Sequence, residues 1–220
     1  MTLKFAYVAG CFIIALLSYF ICHSKRDWAW LVSGLAFTLG ADYFLVLQNN
    51  HLYGVAIFCF AHLCYIMRAV TTDVANPTTC SGVNNVGRRR MVAGAWGVKF
   101  LGFTLLTVIT ILVAVAFISG SVIALAVIYA SLFVVNIAVN FRFFGNEKTR
   151  LPKLNRVLVL TGLVLFVLCD INVLLINLPR YFGAPQWLSS FFPLIWVFYL
   201  PSQILLAVSA IAFPRITNND

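Results

Sequence analysis

The sequence predicts an all-α protein, a single polytopic transmembrane helical bundle of about seven spans over residues 1–220. Three observations carry this expectation. Apolar runs recur at close to the ~20 residues needed to cross ~30 Å of hydrocarbon. Hydrophobic residues make up 62% of the 220 and charged residues only 10%, with a mean hydropathy of +0.98. Basic residues gather in every second connection, the pattern of a chain threaded through a bilayer.

The runs place spans at Phe5 to Ile21, Trp28 to Leu47, Leu52 to Val70, Val98 to Ile118, Val122 to Phe141, Val157 to Leu178 and Ser190 to Phe213. The first has Lys4 as its only leading charge and no small-residue cleavage site, so it reads as a retained helix and not a signal peptide. The connection from Thr71 to Gly97 is the one long one, rich in Thr, Asn, Gly and Arg, and reads as a cytoplasmic loop. Lys25 and Arg26, then Arg68, Arg88, Arg89, Arg90 and Lys99, then Arg142, Lys148, Arg150, Lys153 and Arg156 mark one side. By the positive-inside rule the amino terminus lies outside and the carboxy terminus, near Arg215, lies in the cytoplasm. Pro193 and Pro201 fall in the last run, where a missing backbone donor can kink a helix or free a carbonyl.

Composition narrows the chemistry. The net charge of +9 sits between spans, where topology and anionic headgroups account for it, and no aromatic-interleaved basic module points to nucleic acid. The six cysteines lack paired spacing, so neither a disulfide framework nor a zinc site is expected. A phosphate-binding glycine loop, a paired-histidine zinc motif and a Gly-x-Ser-x-Gly elbow are all missing, and no cofactor is called for. Oligomeric state is not legible.

Ionisable groups inside the spans are therefore the informative ones. Only six acidic residues occur, and Asp42 and Asp170 are embedded in apolar runs. At a helix centre each costs about 2.5–3.5 kcal/mol, so each should face the bundle interior. At ~1.5 Å per residue, Asp42, His62 and Asp170 fall roughly 8, 16 and 12 Å below one membrane face. Trp196, Tyr199 and Gln203 follow helical spacing along the last span at overlapping depths. Gly34, Gly54 and Gly162 share faces with Asp42, His62 and Asp170, which lets helices approach closely there. Asp42 and Asp170 are thus the candidate catalytic pair, with His62, Tyr199 and Gln203 as candidate substrate-binding groups. A zinc site from Asp42, His62 and Asp170 is conceivable, but acid and base work by two carboxyls is the simpler expectation. Asn136 and Asn140 read as local packing near one end of the fifth span, Tyr65 as a packing residue, and Trp28, Trp30 and Trp187 as interfacial.

Four stretches carry a resemblance. Ser33 to Thr38 leading to Asp42, Leu52 to Val55 continuing through Phe60 to Tyr65, Gly162 to Asp170, and Phe198 to Gln203 are similar to motifs of the YhhN family of membrane lysoplasmalogenases. The resemblance covers the second, third, sixth and seventh spans. It implies hydrolysis of the vinyl-ether bond of a lysophospholipid to a fatty aldehyde and a glycerophospho-base, with two essential aspartates matching Asp42 and Asp170. Ala41, Cys169 and Pro201-Ser202 depart from the residues usual before the first aspartate, the second aspartate and the glutamine. The chain also has one helix fewer than usual before the first aspartate. Two carboxyls in different surroundings suit this reaction, because one can hold a proton while the other stays ionised. The competing expectation is a non-enzymatic carrier or channel with both aspartates on its path, and a third is a purely structural membrane partner.

Overall fold

The computed structural model describes residues 2–73, 109–115, 117–145 and 151–212, and these are almost entirely helical. Six helices form the described bundle: α1 (Thr2–Leu17), α2 (Lys25–Asp42), α3 (His51–Asp73), α4 (Val122–Gly145), α5 (Lys153–Phe182) and α6 (Phe192–Val208). With their short flanking turns, all six supply stretches long and apolar enough to cross a membrane: Leu3–Phe20, Lys25–Leu47, His51–Thr71, Val122–Arg142, Lys153–Pro179 and Gln186–Val208. Large apolar side chains such as Ile13, Val127, Leu174 and Val197 lie exposed on the outside. Lipid, not water, is the medium that suits such a surface. The protein is an integral membrane helical bundle.

Of the fourth expected span, residues 98–108 lie outside the described residues, and residues 109–115 are helical. The expected loop from Thr71 begins later, because α3 continues through Asp73; residues 74–97 lie outside the described residues, Arg88, Arg89 and Arg90 among them. Cys80, Lys99, Lys148, Arg150 and Arg215 lie outside them as well.

The last span differs from the expected Ser190 to Phe213. A 3-10 turn over Gln186–Phe191 precedes α6, which ends at Val208. Pro193 therefore sits in the first turn, where its missing donor goes unused, and within α6 only Pro201 stands in the helix interior. After α6 the chain turns back and pairs with the corner between α1 and α2. His23 N donates to Ala210 O at 3.2 Å and Ala212 N to Ile21 O at 2.8 Å.

Neighbouring helices α2 and α3, α3 and α4, and α5 and α6 form the principal contacts. One apolar core joins all six helices through Val8, Leu31, Phe58, Phe133, Phe166 and Leu206; a second joins α3 and α4 to Ile109 and Val113. Close approach relies on small residues. A Cβ on Gly34 would stand 2.5 Å from the Tyr65 ring, and one on Gly162 3.1 Å from Leu206 and 3.3 Å from the Ser202 carbonyl. Gly54, in the first turn of α3, makes room for Leu45 of the segment after α2, with which a Cβ would collide.

Two features escape periodicity. Directly after Asp42 the helix widens into a π segment, Tyr43–Leu47. Near the opposite end of α2, Asp27 and Arg68 are buried together, 2% and 4% exposed. The Arg68 guanidinium donates through Nε to Asp27 Oδ1 and through Nη2 to Oδ2, both at 2.8 Å, and through Nη1 to Ser209 Oγ at 2.8 Å. Arg68 is thus a bundle residue, which corrects its reading as a loop charge. Its guanidinium pairs a buried carboxylate that desolvation alone would exclude.

Candidate active site

Asp42 closes α2, and the helix phase turns it inward, leaving it 5% exposed. Its Oδ2 accepts a hydrogen bond from the Tyr199 hydroxyl of α6 at 2.5 Å. Tyr199 is buried against Phe166 and Trp196, with ring centroids 5.6 and 6.0 Å away. One turn N-terminal to Asp42, Thr38 bonds back to the Gly34 carbonyl at 3.0 Å and meets the Tyr65 hydroxyl at 3.2 Å. The missing side chain of Gly34 admits the Tyr65 ring. Tyr65, expected as packing, is therefore also a polar tie between α3 and α2.

Asp170 lies on α5, half-buried, and its Oδ2 accepts from the Tyr129 hydroxyl of α4 at 2.6 Å. The two aspartates thus repeat one arrangement: a carboxyl on one helix, capped at Oδ2 by a tyrosine from another. Among the described residues they do not hydrogen bond each other. They are linked through their partners instead. Phe166 packs on both Tyr199 and His62, and the His62 ring lies 4.9 Å from that of Tyr129.

His62 is fully buried on α3, between the rings of Tyr129, Phe133 and Phe166. Its Nδ1 stands 3.1 Å from Asn136 Nδ2. Asn140 in turn donates from Nδ2 to the Asn136 carbonyl and to Asn136 Oδ1, each at 2.8 Å. This corrects the assignment of Asn136 and Asn140 to local packing alone, since Asn136 reaches across from α4 to hold His62. Gln203 is fully buried on α6, one turn beyond Tyr199, and its Nε2 meets Ser202 Oγ at 3.4 Å while Oε1 has no partner among the described residues. Gln203 has no direct bond to either aspartate.

Sequence reasoning missed Tyr129. A tyrosine in an apolar helix looks like packing, but its place on α4, two turns before Asn136 on the same face, is a signal that a search for polar stripes can find. The Asp27 and Arg68 pair was also missed, because each sits near the end of an apolar run, where charges pass for loop residues.

Fold and site together define a polytopic α-helical membrane protein with two tyrosine-capped carboxyls within its apolar spans, Asp42 buried and Asp170 half-buried. The YhhN family model matches residues 5–210, nearly the whole chain. The protein belongs to the YhhN family, whose members are described as lysoplasmalogenase-like. No curated protein and no solved structure matches the chain.

Proposed function

We propose that this protein is a lysoplasmalogenase-like hydrolase that cleaves the vinyl-ether bond of a lysophospholipid with Asp42 and Asp170. One observation carries the reading: two carboxyls on separate helices of an apolar bundle, each fixed by a tyrosine, with His62 against Tyr129 and Phe166 packed on both His62 and Tyr199. Ionisable side chains inside a membrane bundle are retained for function more often than for packing. In both aspartates the tyrosine occupies Oδ2, which leaves Oδ1 for proton traffic.

The chemistry balances with two such groups. One carboxylic acid gives its proton to the alkene carbon remote from the ether oxygen, the π electrons form the new C–H bond, and the ether oxygen stabilises the cation left on the oxygen-bearing carbon. Water adds to that oxygen-bearing carbon, and its proton passes to the other carboxylate. The resulting hemiacetal collapses to aldehyde and glyceryl hydroxyl as a proton returns to the ether oxygen. Tyr199 and Tyr129 hold the carboxyls in register, His62 and Gln203 orient the polar part of the lipid or the water, and the apolar walls take the alkenyl chain. The alternating basic connections support an outside amino terminus and a cytoplasmic carboxy terminus.

The experiment is aldehyde release from lysoplasmalogen by the purified protein, with Asp42→Asn and Asp170→Asn beside it. Loss in both variants supports the assignment. Full activity in either removes that residue from the mechanism, and solute flux in proteoliposomes without cleavage replaces the hydrolase by a carrier.

A further inference from the structure

The hydrogen bonds of α4 fix which nitrogen of His62 carries its proton. Asn140 Nδ2 lies 2.8 Å from the Asn136 backbone carbonyl, an oxygen that only accepts, so Asn140 must present its amide nitrogen there. The same nitrogen lies 2.8 Å from the Asn136 side chain, which must therefore present Oδ1 to it. Asn136 is then left with Nδ2 toward His62, and at 3.1 Å this donor requires a lone pair on His62 Nδ1. A neutral imidazole with a bare Nδ1 carries its hydrogen on Nε2. Nε2 is fully buried and has no partner among the described residues.

We infer that Asn140 and Asn136 lock His62 as an Nε2–H donor aimed at an oxygen acceptor of the bound ligand, beside the Tyr129 that holds Asp170. The identity of that acceptor rests on the hydrolase reading; the tautomer does not. A buried donor left without an acceptor is expensive, and a ligand oxygen arriving there recovers the loss. His62 accordingly does not take a proton from water through Nε2, so its task is to hold an oxygen in place. The acceptor is either a glyceryl or phosphate oxygen of the lipid or the oxygen of the attacking water. Asn136 is a positioning residue acting through His62.

Two measurements test this. In protein labelled with ¹⁵N-histidine, His62→Gln identifies the His62 signals among those of the three histidines. The wild type should show a protonated Nε2 and a bare Nδ1, and Asn136→Asp, whose carboxylate only accepts, should move the proton to Nδ1. A wild-type proton on Nδ1 overturns the proposal whether or not the protein hydrolyses lysoplasmalogen. In the aldehyde assay, folded His62→Leu should lose about tenfold in kcat/KM, and His62→Gln, which keeps a donor, should recover part of it. A rise in KM alone assigns the donor to the lipid; a fall in kcat alone assigns it to the water. Unchanged values for both parameters in His62→Leu overturn the ligand-holding role.

Discussion

Arg68 on α3 grips Asp27 on α2 through two parallel 2.8 Å hydrogen bonds and reaches Ser209 beyond α6 with a third. This is the planar fork-to-carboxylate geometry that lysine cannot reproduce. Three segments of chain are thereby pinned at the end of the bundle remote from Asp42.

Breaking one side of that grip strands a buried charge. Arg68→Met or Asp27→Leu alone should destabilise the detergent-solubilised protein by roughly 3–5 kcal/mol, whereas the double variant should regain most of the loss. Equilibrium unfolding of the four proteins measures it, and additive losses would show that the pair is not coupled.

Tyr199→Phe removes the donor to Asp42 with almost no change in shape. On the proposed reaction, aldehyde release should fall about tenfold to a hundredfold, equivalent to ~1.5–3 kcal/mol, and Tyr129→Phe should do the same for Asp170. Rates of folded variants, set against wild type, decide whether the tyrosines serve the carboxyls or only pack.

Gly34→Ala places a methyl against the Tyr65 ring, whose nearest atom stands 2.5 Å away, while a Cβ at Gly10 meets nothing within 4 Å. The first change should cost about 1–3 kcal/mol through overpacking and a displaced Thr38–Tyr65 contact. The second should be neutral or stabilise by up to ~1 kcal/mol, since alanine suits a helix better. Thermal unfolding of the pair checks the contrast.

Asn155 on α5 donates from Nδ2 to the Ser209 and Ile211 carbonyls at 2.8 and 2.7 Å, fastening the chain that follows α6. Asn155→Leu should free that segment and expose it to faster hydrogen exchange around Ala210 and Ala212, with the amides of α3 unaffected. Protection factors across the two regions test it.

Much of the bundle was legible because its signal is local. Runs of ~20 apolar residues report spans whatever surrounds them, and an aspartate amid leucines announces itself. Partners were harder to read. Nothing in the run around Tyr129 says that its hydroxyl meets Asp170, since that depends on how α4 rotates against α5. Asp27 and Arg68 are 41 residues apart and look like loop charges until helix ends are aligned in space. The π segment was invisible, because Tyr-Phe-Leu-Val-Leu is as apolar as any other stretch of the span.

That widened turn has a consequence for how α2 presents itself. An additional residue in one turn advances the angular position of all that follows by about 100°. A residue beyond Asp42 therefore does not fall on the side that counting in steps of 3.6 from Gly34 assigns to it. The ring of Tyr43 lies 6.4 Å from that of Phe5, and within the widened turn Leu45 lies over Gly54. Inserting or deleting one residue between positions 43 and 47 would let α2 keep its packing while re-aiming Leu45 and its neighbours against the start of α3. The passage from α2 to α3 can vary there independently of the carboxyl that precedes it.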